Sequence, residues 1–173
     1  MRVLVAYASR YGSTRGIAER IAERLQAAGQ QAEARPVQGI HDLAGYDAVV
    51  VGSAVFAGHW MAEASEFVRR NRAVLADRPV WLFSSGPIGT MAAKHEPVAP
   101  KEVPALVRAI NPREHRVFFG AWDRANADRG QLRFAERMVA KWLPEGDFRD
   151  WAAIEGWAAS IAGALQAQRA APS

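Results

Sequence analysis

Three short runs in this chain are apolar at almost every position: Val3-Leu4-Val5-Ala6-Tyr7, AVVVGS over 48–53 and VWLFSS over 80–85. A strand with one wet face alternates polar and apolar residues. A run without that alternation is covered on both faces. A stretch with helical spacing follows each run. Ile17, Ile21 and Leu25 recur every four residues beside Ala18, Ala22 and Ala28, with Gly29 as a stop. Phe67, Val68, Val74 and Leu75 predict a second helix that ends before Pro79. Val103, Leu106, Val107 and Ile110 predict a third, and Ile154, Trp157, Ala158, Ile161 and Leu165 a last one. The 31–35 stretch is a more polar strand, suited to an edge, and 115–121 contains the fifth strand. Strands alternating with helices imply an α/β fold: a five-stranded parallel sheet with helices on both faces.

The alternation fills one domain over 1–168, and 169–173 reads as a frayed tail. One stretch breaks the pattern. The 122–150 segment is far longer than an ordinary connection of ~2–6 residues. Inside it Leu132, Ala135, Met138, Val139, Trp142 and Leu143 have helical spacing, and Arg129, Arg133, Arg137 and Lys141 form a basic ladder. This insertion lies after or within the fifth strand and reads either as a solvated charged helix or as a functional element. No apolar run approaches the ~20 residues that span a bilayer. A strand expected from Arg2 onward argues against a secretory signal, so the expected location is the cytoplasm. The basic helix could add peripheral contact with the inner face of the membrane. There is no cysteine, so disulfides, thiolate metal sites and cysteine nucleophiles are excluded. The net charge of +4 suits anionic partners. The arginines are dispersed, so nucleic acid is not an expected partner. No metal-ligand cluster or catalytic triad stands out.

Chemistry concentrates where the first strand meets the first helix. Ser9-Arg10-Tyr11-Gly12-Ser13-Thr14 places hydroxyls and a glycine at a helix start. There the unpaired backbone N–H groups and the helix dipole favour an anion. The same hydroxyls also suit plain helix caps. In an open parallel sheet, ligands bind at the carboxyl ends of the strands, so the later strand exits belong with this turn. They are Ala54-Val55-Phe56-Ala57-Gly58-His59-Trp60, then Ser85-Gly86-Pro87-Ile88-Gly89-Thr90, then Gly120-Ala121-Trp122-Asp123. Small residues let backbone approach a ligand, and Phe56, Trp60 and Trp122 offer faces for a flat heteroaromatic ring. Phe56 and Trp60 also suit packing on the next helix. A planar ring with a phosphate tail matches the set. His59 is a weak catalytic candidate, since a lone histidine in such a loop is more often structural. The turn is neither the G-x-G-x-x-G fingerprint nor a P-loop.

Ser9, Gly12 and Thr14 resemble the Ser/Thr-x-x-G-x-Thr phosphate loop of the flavodoxins. The resemblance covers nearly the whole chain and implies strand order 2-1-3-4-5 and FMN as cofactor. It also implies cofactor contacts at Ser9 to Thr14, Ala54 to Gly58, Ser85 to Gly89 and Trp122. Within that family, Gly58-His59-Trp60 followed by Glu66-Phe67-Val68-Arg69-Arg70, and the long insertion before Asp150-Trp151, resemble the menaquinone-dependent protoporphyrinogen dehydrogenases. Val55 departs from that pattern, which expects a basic residue there, and the insertion is only loosely similar. The implied function is an FMN-dependent oxidoreductase that passes electrons from a reduced substrate to a quinone. Its substrate would be an anionic small molecule such as a porphyrin. The alternative is a one-electron carrier flavodoxin, against which the basic charge argues because carriers dock through acidic surfaces. A flavin-free interaction module is a third reading. Donor, acceptor, redox potential and oligomeric state are not written in these residues.

Overall fold

The structure is a computed structural model that describes residues 1–86, 99–123 and 145–170. Strands β1 (Arg2–Ala8), β2 (Gln31–Pro36), β3 (Ala48–Phe56), β5 (Val80–Gly86) and β6 (Glu114–Phe119) form a parallel sheet in the order β2-β1-β3-β5-β6. Counting only these long strands, that is the expected order 2-1-3-4-5. A two-residue strand, β4 (His59–Trp60), pairs antiparallel with the end of β3. The continuous apolar runs are explained by burial: β3 is buried from Ala48 to Ala54, and β5 from Val80 to Ser85.

Helices cover both faces. On one, α1 (Ser13–Ala27) and the last helix, α5 (Trp151–Ala170), pack on Val3, Val5, Val50, Trp81 and Phe83. On the other, α2 (Ala62–Arg70), α3 (Arg72–Ala76) and α4 (Val103–Ile110) pack on Leu4, Ala6, Val49, Val51 and Leu82. The sheet's pleat sends alternate residues of one strand into each core.

The structure departs from the sequence expectations at several points. The helix expected through Phe67 and Leu75 is two helices, divided at Asn71. The Asn71 side-chain amide donates to the Phe67 carbonyl at 2.8 Å, a local bond that competes with the helical ladder. Val74 and Val107, which mark two of the helices in the sequence, lie on their exposed faces. The fifth strand stops at Phe119, and Ala121–Trp122 forms β7, which pairs with β8 (Gly146–Asp147) in a separate antiparallel ribbon. The last helix runs to Ala170, so the first two residues of the expected frayed tail are helical. Gln168, near that end, accepts a hydrogen bond from Arg113 at 2.8 Å. The insertion helix and its basic ladder lie outside the described residues.

Candidate functional site

At the carboxyl ends of β1, β3, β5 and β6 the chain encloses a cavity of about 220 Å³. Its wall is made by Ser9, Arg10, Tyr11, Ser13 and Thr14 from the first turn; Ala54, Val55, Phe56 and Ala57 from the exit of β3; Ser85 and Gly86 from β5; and Gly120, Ala121 and Trp122 beyond β6. Segments far apart in sequence meet here because β1 and β3 are neighbours at the centre of the sheet and β5 lies beside β3.

The first turn is built to leave donors open. Gly12 sits before α1 with φ +88°, a left-handed conformation suited to glycine. No side chain caps the helix, and its first intrahelical bond runs from Gly16 N–H to the Gly12 carbonyl. The amides of Ser13, Thr14 and Arg15 therefore lack helical partners. Ser9 Oγ accepts the Gly12 N–H at 3.2 Å, and Ser13 Oγ accepts the Ala121 N–H at 2.8 Å. Ser13 thus ties the turn to β7. Thr14 is different: its residue is 1% exposed and its hydroxyl has no hydrogen-bond partner. A buried hydroxyl without a partner costs about 1–3 kcal/mol, so its place on this wall points to a polar group that it is meant to meet. The residues present therefore fit an anionic tail at the turn.

The rest of the wall is aromatic and apolar. Tyr11 meets Phe56 and Trp122 edge to face, with ring centroids 5.8 and 5.2 Å away. The Arg10 guanidinium lies 5.7 Å from the Tyr11 ring centre and 5.9 Å from that of Phe56, within cation–π range. Phe56 is 40% exposed, while Trp122 is buried with an indole N–H that has no partner. Gly86 lets β5 approach β3 closely, since a Cβ there would lie 3.1 Å from Val55 Cβ.

Most predicted positions line this cavity, but several do not. Gly12 faces a second, more open hollow of about 500 Å³, shared with Tyr11, Ser13, Trp122, Asp147 and Arg149. Gly58 lies outside both walls; with Ala57 it forms the tight turn of the β3–β4 hairpin, at φ +80° and +50°. Trp60 does not offer a ring face. It is 4% exposed in the core under α2, where its indole N–H donates to Ser84 Oγ at 2.7 Å. His59 does not face the cavity either: its Nδ1 lies 2.6 Å from Glu102 Oε1. Pro87, Ile88 and Gly89 lie outside the described residues.

Three groups with partners were not singled out from sequence. Burial alone would raise the Glu102 carboxyl, but hydrogen bonds from His59 and the Trp60 N–H bring it below the ordinary glutamate value. Hydrogen bonds from Arg149 hold Asp147 low. Burial pushes the His115 imidazole down, and its Nε2 lies 2.8 Å from Ser84 Oγ. Nothing near these residues in sequence marks them. Among the described residues, no group of acids and histidines is placed to hold a metal, and no helix is long and apolar enough to cross a membrane.

Comparison with known proteins adds an independent line. A family described as "Flavodoxin domain" matches residues 4–142. The protoporphyrinogen IX dehydrogenase [quinone] of Escherichia coli (strain K12) is 30% identical over 99 residues, covering 56% of this chain and 55% of that protein. The chain therefore spans about half the length of the curated relatives it matches. Among solved structures, a cysteine-to-serine mutant of flavodoxin from Pseudomonas aeruginosa superposes with a TM-score of 0.58 at 18% identity, covering 96% of this chain and 99% of that one. Rubredoxin oxygen:oxidoreductase from Desulfovibrio gigas superposes with a TM-score of 0.64 at 16% identity, covering 98% of this chain and 37% of that one. At these identities the structural likeness speaks for the fold.

Proposed function

The chain belongs to the flavodoxin-domain family, whose cofactor is FMN, and from that premise we propose that it is an oxidoreductase passing electrons from a reduced, anionic small molecule to a quinone. The observation that carries this reading is the 30% identity to protoporphyrinogen IX dehydrogenase [quinone] over 99 residues. The net charge of +4 supports an anionic substrate such as a porphyrin.

FMN, when bound, supplies the acceptance of hydride equivalents and their delivery onward; the protein supplies binding, orientation and electrostatics. The amides of Ser13, Thr14 and Arg15 and the Thr14 hydroxyl would hold the phosphate. Phe56, Tyr11 and Trp122 would bound the ring, with backbone of Ala54 to Ala57 and of Ser85 and Gly86 along its edge. The carboxyls and the imidazole whose pKa values are displaced, those of Glu102, Glu114, Asp147 and His115, all lie off this wall, so no general acid or base is assigned to it.

A second reading, an electron carrier without a small-molecule substrate, is favoured by the full-length likeness to a solved flavodoxin. One experiment separates the two. The FMN-loaded protein is mixed anaerobically with protoporphyrinogen IX and a menaquinone analogue, and porphyrin fluorescence is followed. Growth of fluorescence that needs both the protein and the quinone supports the oxidoreductase. Reversible reduction of bound FMN with no porphyrin formed leaves the carrier. Failure to bind FMN overturns both.

A further inference from the structure

Helix α1 carries a glycine, Gly16, at its fourth position, where alanine would favour the helix. Its φ lies in the ordinary range, so no turn demands a glycine. The space answers for it. A Cβ at Gly16 would lie 2.6 Å from Arg149 Nη1. The guanidinium of Arg149 lies across the first turn of α1, with Nη1 3.5 Å from the Ser13 carbonyl oxygen.

Arg149 is fixed in that place from several sides. Its Nε and Nη2 donate to the two carboxylate oxygens of Asp147, each at 2.7 Å. Its guanidinium carbon lies 4.4 Å from the centre of the Trp151 ring. The Arg149 side chain is 17% exposed and the Asp147 side chain 44%. Solvent therefore screens the carboxylate more than the guanidinium, and the pair presents its positive end to the helix start. Arg149 lines the same hollow as Gly12 and Ser13, and Ser13 also lines the cavity that holds the partnerless Thr14 hydroxyl. Of the turn's other cations, Arg10 lies over the Tyr11 and Phe56 rings and Arg15 pairs with Glu19 at 2.7 Å.

We propose that Arg149, seated against Gly16, is a specificity-determining residue that supplies positive charge to the phosphate turn and so selects phosphorylated over unphosphorylated flavin. The inference rests on the FMN reading above. Its chemistry is that of a fixed field: the turn provides neutral hydrogen-bond donors, and Arg149 provides the charge that they lack.

The test is equilibrium binding of FMN and of riboflavin, read by quenching of flavin fluorescence at low and high salt, with wild type, Arg149→Gln and Gly16→Ala. In Arg149→Gln the expected result is a roughly fivefold loss of FMN affinity with riboflavin affinity unchanged, and a shallower salt dependence for FMN. Gly16→Ala should lower the FMN preference in the same direction, because its Cβ displaces the guanidinium. It should do so while the helix itself gains propensity, so this variant carries the test should the glutamine variant fail to fold. An unchanged ratio of FMN to riboflavin affinity in both variants overturns the proposal, as does an equal loss of both flavins, which would make Arg149 a structural brace. A wild type that binds FMN no better than riboflavin overturns the phosphate reading of the turn itself.

Discussion

Thr14 shows what a single residue discloses. Its hydroxyl is buried without a partner, whereas the neighbouring Ser9 and Ser13 hydroxyls each accept a backbone N–H. Thr14→Val keeps the shape and removes an unsatisfied group, so the unfolding free energy of the apoprotein should hold steady or rise slightly in a urea titration. FMN affinity should fall on the order of 10- to 100-fold, the worth of a charge-assisted hydrogen bond. Paired titrations of FMN and riboflavin read this directly, since riboflavin should not register the change. The sequence places Ser9, Ser13 and Thr14 together at a helix start, and equally so. Their difference depends on where the Ala121 N–H arrives across the sheet, which one segment read alone does not carry. His115 was unreadable for the same reason: its partner, Ser84, is supplied by the neighbouring strand.

At the scale of elements, the β3–β4 hairpin brings the end of β3 and Ala57 to one wall of the cavity. Glu102, just before α4, clasps it with both carboxylate oxygens, one on His59 Nδ1 and one on the Trp60 N–H. The Gly58 carbonyl also accepts the Lys101 N–H at 3.1 Å. The folded state lowers the Glu102 pKa from the ordinary 4.5. It therefore adds stability that is fully present above that value and lost as pH falls through the lowered folded one. Glu102→Gln should show a shallower loss of stability than wild type between about pH 5 and pH 3, measured by urea midpoints across that range. The exit of β3 was legible as a segment that reaches the cavity, but the hairpin was not. Ala57-Gly58 lacks the usual Asn-Gly or Asp-Gly signal, and a two-residue strand shows no alternation to read. The division between α2 and α3 was likewise hidden, since Asn71 is tolerated inside many helices, and here its side chain and its own N–H share the Phe67 carbonyl.

For the whole molecule, two cores back to back on one sheet make the central strands unforgiving. Gly52 lies in β3 opposite Phe83 of β5, and a Cβ there would come within 1.9 Å of the Phe83 ring. That ring packs with Phe118 and Trp157, at centroid distances of 6.2 Å each. Gly52→Ala should destabilise the fold by about 3 kcal/mol, the upper part of the usual range for overpacking, seen as a lower urea midpoint with an unchanged slope. The architecture was legible because continuous apolar strands and four-residue helical spacing admit few arrangements. Fine contacts such as Gly52 against Phe83 were not, because a glycine in a strand reads the same whether its neighbour is a ring or empty space.

The β7–β8 ribbon sets Trp122 opposite Gly146. The chain thus departs after Trp122 and comes back to the same rung of a ladder, where facing residues are ~5 Å apart. The two paired rungs close the domain on either side of the intervening stretch like a two-pin socket. Over evolutionary time that stretch is free to be lengthened, shortened or exchanged without rethreading the sheet.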